Sequence, residues 1–83
     1  MQRLIKRLNT DIPDHKEAML IYARYFNLPY VEDGLIEVME FWADNETETV
    51  VLTLTTDSVE FHRINLDVGN IFLYAEILEF LGG

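Results

Sequence analysis

Few side chains in this sequence could make or break bonds. Ser58 is the single serine, the two histidines are His15 and His62, and there is no cysteine. A nucleophilic arrangement can be drawn through Asp57, Ser58 and His62. Three residues on one short turn and strand rarely converge on a substrate, however, and no glycine-framed elbow accompanies them. Losing cysteine removes disulfides, thiolate metal ligands and a thiol nucleophile together. Glu76 and Glu79 lie three apart on a helical face and could share a hard cation, but that spacing equally makes the solvated stripe of a helix that is otherwise apolar. Asp44-Asn45-Glu46-Thr47-Glu48 opens like a calcium loop, yet lacks the glycine at its sixth position and has Thr55 where a bidentate glutamate belongs at the twelfth. The same stretch holds an Asn45-Glu46-Thr47 glycosylation sequon, with no secretory signal to make use of it. Four glycines scattered singly make no phosphate-binding loop. The expectation is a protein without catalytic residues, cofactor or metal, which acts by binding.

Charge narrows the class of partner. Fifteen acids against six bases give a formal charge of −9 over 83 residues. Residues 1–24 hold five of those bases (Arg3, Lys6, Arg7, Lys16, Arg24) with three acids, net +2, whereas residues 25–83 hold Arg63 alone against twelve acids, net −11. No basic patch stands in that longer part to release counterions from phosphates, so direct nucleic-acid binding and docking on anionic lipid are both disfavoured. A protein with a basic, nucleic-acid-binding surface is the expected partner. Glu32 and Asp33, then Asp44, Glu46 and Glu48, then Asp57 and Glu60 are the candidate contacts. If Asp44, Glu46 and Glu48 are extended, their side chains repeat at roughly 6.8 Å along one side of the chain, comparable to neighbouring phosphates on a nucleic-acid strand. Trp42 is the leading apolar anchor, with Tyr30, Phe41 and Phe72 as further candidates.

These residues must be held by a single small domain, since 83 residues leave room for one core. An apolar fraction of 49% and a charged fraction of 25% argue for a folded chain. No apolar run reaches membrane-spanning length and no signal peptide is visible, so the expected location is the cytoplasm. Residues 2–9 place Leu4, Ile5 and Leu8 against Arg3, Lys6 and Arg7, which reads as about two amphipathic helical turns. A second helix starts near Pro13, with Asp11 as its cap, and runs to about Phe26. It ends at Asn27, which suits a left-handed position, ahead of Pro29. Residues 34–43 fit a helical wheel better than a strand, but the sheet that follows needs a third member. Thr49–Thr56 is rich in β-branched residues, and Val59–Leu66 returns after a turn at Asp57-Ser58. Two strands alone are marginal in water, so a three-stranded meander is expected, its first strand readable as helix. A last helix over Ile71–Leu81 follows a cap at Asn70. The expected fold is α+β, in the order α-α-β-β-β-α.

The last helix is apolar almost all round, more than one sheet can cover. Phe72, Leu73, Ile77 and Phe80 are therefore candidate contacts in a homodimer. A small homo-oligomeric adaptor or regulatory subunit is the alternative to an inhibitor.

In composition and coarse layout (small, acidic, helices flanking a short antiparallel sheet) the chain is similar to phage-encoded inhibitors, including uracil-DNA glycosylase inhibitors and anti-CRISPR proteins. The similarity implies a DNA-mimic type of anti-defence or host-takeover inhibitor, active in the cytoplasm of the host cell. It rests on no aligned motif and carries no functional residues with it.

Overall fold

The computed structural model describes residues 1–29, 31, 32, 34–56, 59–66 and 73–82, the side chains of 59–61 excepted. Six elements follow in the order β-α-β-β-β-α: β1 (Gln2–Asn9), α1 (Pro13–Phe26), β2 (Val38–Asp44), β3 (Thr49–Thr56), β4 (Val59–Asn65) and α2 (Tyr74–Phe80). The strands form one antiparallel sheet in the order β1-β2-β3-β4.

The first element corrects the sequence reading, because residues 2–9 are a strand and not a helix. Two turns of helix are too short to hold themselves in water, while pairing along β2 gives the backbone from Gln2 to Asn9 hydrogen-bond partners along one side. The strand was hidden by a bulge. Simple alternation would put Leu4, Lys6 and Leu8 on one side, but the register shifts between Leu4 and Lys6, where Ile5 is the extra residue. Leu4 then sits opposite Trp42 on one face, and Lys6 opposite Phe41 on the other. The remaining three strands form the expected meander, with residues 38–44 extended as the sheet context required.

Helix α1 starts differently from expectation. Ile12 holds the cap position without a side-chain cap bond, and Pro13 opens the first turn. The chain is turned instead by Asn9, whose side-chain oxygen accepts the Asp11 amide at 2.8 Å and whose carbonyl accepts the Ile12 amide at 3.0 Å. His15 Nδ1 in turn accepts the Asn9 amide at 3.2 Å. At the other end Asn27 adopts the left-handed conformation (φ 56°, ψ 50°) as expected, and the Asn27 and Leu28 amides both reach the Ala23 carbonyl. Helix α2 starts at Tyr74, later than expected, with Leu73 extended ahead of it. Asn70, Ile71 and Phe72, along with Asp57, Ser58 and Asp67, lie outside the described residues.

Both helices pack on the same face of the sheet. Met19, Ala23 and Phe26, three positions on one stripe of α1, meet Leu8, Met39, Phe41, Val50, Leu52 and Leu54 in a single core, joined by Ile77 and Leu81 from the end of the chain. An aromatic cluster closes the seam between the helices: Phe80 lies edge-on to Tyr22 at 5.6 Å and to Phe26 at 5.7 Å, and Tyr22 meets Phe41 at 5.2 Å. Lys6 enters this layer from β1 and donates a hydrogen bond from Nζ to the Tyr22 hydroxyl at 2.9 Å, its stem covering apolar surface. Among the described residues no helix is long and apolar enough to cross a membrane.

Candidate functional site

With both helices on one side, alternation along β2 turns Val38, Glu40, Trp42 and Asp44 to the other. Directly paired residues share a face, so the register writes out that open surface row by row. One row runs Arg7–Glu40–Thr53–Arg63, and the next runs Leu4–Trp42–Val51–Asn65. Between them lies a shallow concavity of about 360 Å³, lined by Glu40, Trp42, Val51, Thr53, Thr55 and Arg63, with Gln2 at its margin.

Glu40 organises the concavity. One carboxylate oxygen accepts the Trp42 indole N–H and the Thr53 hydroxyl, each at 3.4 Å, and the other lies 3.3 Å from Arg7 Nε. The indole is thereby fixed in orientation and kept half-exposed. Thr53 is buried between its neighbours on the adjoining strands. Arg7, Glu40, Thr53 and Arg63 were not singled out from the sequence. The signal available was one glutamate in the middle of an apolar stretch, and it acquires meaning only once the register sets Arg7 and Thr53 on either side of it.

The β2–β3 turn lies at the Asp44 end of this face. Asp44 Oδ1 accepts the Glu46 amide at 2.9 Å and the Thr47 amide at 3.5 Å, and the N-terminal ammonium stands 3.4 Å away. The Glu46 amide holds the Asp44 carboxyl below the usual carboxylate value. Partial desolvation opposes this, and the Thr47 amide and N-terminal ammonium reinforce it. Glu48 takes a left-handed backbone (φ 52°) to close the turn. Residues 45–48 are turned rather than extended, so the regular row of carboxylates that an extended chain would give is not formed. Asp44 is spent on the turn, while Glu46 and Glu48 project into solvent.

The other expected contacts divide. Glu32 is exposed and paired with Arg24 at 3.3 Å. It borders a second concavity together with Glu37, just before β2, and so lies roughly 20 Å from the Asp44 turn at the rise of a seven-residue strand. It does not join the site. Asp33, Asp57 and the anchor candidates Tyr30 and Phe72 lie outside the described residues, as does the side chain of Glu60, whose backbone pairs with Thr55. Phe41 is fully buried and cannot anchor a partner. His62 is exposed on β4. Of the proposed contacts between copies, Leu73 is 69% and Phe80 37% exposed, but Ile77 is only 1% exposed and belongs to the chain's own core.

The lopsided charge of the sequence is partly undone in space. Strand β1 lies against β2, Arg7 meets Glu40, and Arg24 meets Glu32. Lys6 is occupied by Tyr22. Among the described residues, no base stands within ion-pair distance of Glu48, Glu76 or Glu79. No family model, no curated protein and no solved structure matches this chain.

Proposed function

We propose that the chain is a small acidic binding protein that occupies the basic, nucleic-acid-binding surface of another protein, and so inhibits a nucleic-acid-handling enzyme in the cytoplasm. The observation that carries this reading is a juxtaposition. Trp42, oriented by Glu40 and half-exposed, lies on an open sheet face bordered by the turn from which Glu46 and Glu48 project. A net charge of −9 speeds encounter with a cationic groove over distances near the Debye length. An aromatic side chain in a concavity then supplies the contact that slows release. Phosphate-like character resides in the acidic cluster at the end of the sheet, without the regular spacing of a strand.

The test is capture followed by competition. The tagged chain is used at low salt to retain proteins from the cells that produce it, and the retained proteins are challenged with short duplex DNA or with RNA. The expected result is a nucleic-acid enzyme displaced by nucleic acid and by salt. Its affinity should fall at least about tenfold for Glu46→Lys/Glu48→Lys, and by a similar factor for Trp42→Ala. If the enzyme binds nucleic acid unimpeded while in the complex, the proposal fails. If both variants bind as the parent does, the partner sits on another surface.

A further inference from the structure

Tyr74, Ile77, Leu78 and, just past the end of α2, Leu81 have the spacing of one helical face. Ile77 and Leu81 are buried in the core, and Tyr74 and Leu78 pack against it half-buried. Tyr74 opens the helix, so its ring is the first member of that stripe. Its hydroxyl reaches out of the core and donates a hydrogen bond to the side-chain oxygen of Asn45, 29 residues away in the chain. Asn45 is the first residue of the turn between β2 and β3, the turn that carries Glu46 and Glu48.

The turn does not need this bond to close. Asp44 accepts the Glu46 and Thr47 amides, the Thr47 and Thr49 hydroxyls meet at 2.8 Å, and Glu48 supplies the left-handed residue. These contacts all lie between residues 44 and 49, so they shape the turn without fixing its tilt on the sheet. Glu46 also faces the N-terminal ammonium at 3.9 Å, but both groups are almost fully exposed and such a pair restrains little. The Tyr74 hydroxyl is different, because the ring behind it is packed against the core. A turn free to swing must be ordered when a partner is met, and that ordering subtracts from affinity. A tie to the core orders it beforehand.

We infer that Tyr74 is a positioning residue for the proposed binding surface: through Asn45 it holds the Glu46–Glu48 turn at a fixed angle beside the Trp42 face. The inference rests on the reading of that turn as a contact surface. Tyr74 acts from the helical side of the sheet and need not touch the partner itself.

Tyr74→Phe keeps the ring and removes only the hydroxyl, so the circular dichroism spectrum should be retained. Nitrogen-15 relaxation of the full chain should show the amides of 45–48 more mobile in the variant, with those of Val50, Leu52 and Leu54 unchanged. The binding probe is a hexa-arginine peptide, followed by the amide shifts of Glu46 and Glu48 and the indole N–H shift of Trp42. Its affinity should fall roughly three- to tenfold in Tyr74→Phe. Asn45→Ala should lose as much, and the double variant no more than either alone, because both remove the same bond. Asn45 is exposed, so Asn45→Ala carries the test if the tyrosine variant fails to fold. Unchanged mobility at 45–48 overturns the inference, as does unchanged affinity, or losses that add in the double variant. In those cases the parent still responds to the peptide at Glu46 and Glu48, and the proposed function keeps its surface. A peptide that leaves these amides unmoved in the parent removes that surface, and the inference falls with it.

Discussion

Glu40 shows how one side chain can belong to both the fold and the site. It holds the Trp42 indole, the Thr53 hydroxyl and the Arg7 guanidinium together on an open face. The ion pair with Arg7 is half-exposed and contributes little, while the hydrogen bonds to Thr53 and Trp42 are shielded and contribute more. Glu40→Ala is therefore expected to cost about 1–2 kcal/mol and Arg7→Ala about 0.5 kcal/mol. Urea denaturation measures both, and Trp42 emission should shift to the red only in the Glu40 variant. Equal losses would mean that the ion pair, not the hydrogen bonds, holds the network. Asp44 makes a prediction in pH. Its carboxyl is held below the usual value chiefly by the Glu46 amide. Its contribution to stability is thus complete above the pKa of an unfolded aspartate and is lost as pH falls through the lower folded value. Carbon-detected NMR titration should place its midpoint below that of an unstructured aspartate. Asp44→Asn keeps the side-chain oxygen that accepts the amides, and should flatten this part of the acid dependence. A midpoint at or above the unstructured value would mean the turn amides do not reach the carboxylate in solution.

At the scale of elements, the left-handed residues other than glycine among those described, Asn27 and Glu48, mark where local chemistry is under tension. Asn27 and Glu48 have φ of 56° and 52°. Asparagine tolerates this conformation because its short side chain bonds locally, whereas glutamate gains nothing there. Glu48→Gly should stabilise by about 0.5–1 kcal/mol, a rise of a few degrees in Tm for a domain of this size, while weakening the proposed complex by removing a projecting acid. Asn27→Ala should destabilise by about 1 kcal/mol. Thermal melts of the two variants moving in the same direction would show that one of these backbone assignments is wrong. The helix signals around Pro13 and Asn27 were legible in the sequence because proline and a left-handed asparagine act within a few residues. The strand at 2–9 was not, since its bulge sets Leu4 and Lys6 on opposite faces and leaves no period-two pattern to read. The start of α2 fell at Tyr74 because Leu73 is extended, a choice no local capping residue announced.

For the whole molecule, sheet order sets a gradient of stability. Strands β2 and β3 are paired on both sides, while β1 and β4 are edges. Local opening frays edges before the middle. Amide hydrogen exchange should be slowest at Met39, Phe41, Val50, Leu52 and Leu54, and faster along β1 and β4. If β1 were protected as strongly as β3, something would have to cover that edge in solution. Edge strands are commonly guarded by charge and bulges against joining other sheets. Strand β1 has both, in Arg3, Lys6 and Arg7 and in the shift at Ile5.

What the sequence determined by itself was local or additive: a folded acidic chain without cysteine, a helix bounded by Pro13 and Asn27, a β-branched strand with a returning neighbour, and Trp42 with the Asp44–Glu48 acids as candidates for contact. Such features depend on residue type and on neighbours a few positions away. Pairing decided the rest. Bringing β1 beside β2 turned a run of bases into partners for Glu40 and a lining for Tyr22, so charge separated along the chain became partly neutralised in space. The same pairing made Glu40 the centre of a site, and the packing of α2 onto the sheet buried Ile77, which the sequence offered as a contact between copies. Those outcomes depend on which residues, far apart in the chain, share one face of a sheet, and register carries that information while composition does not.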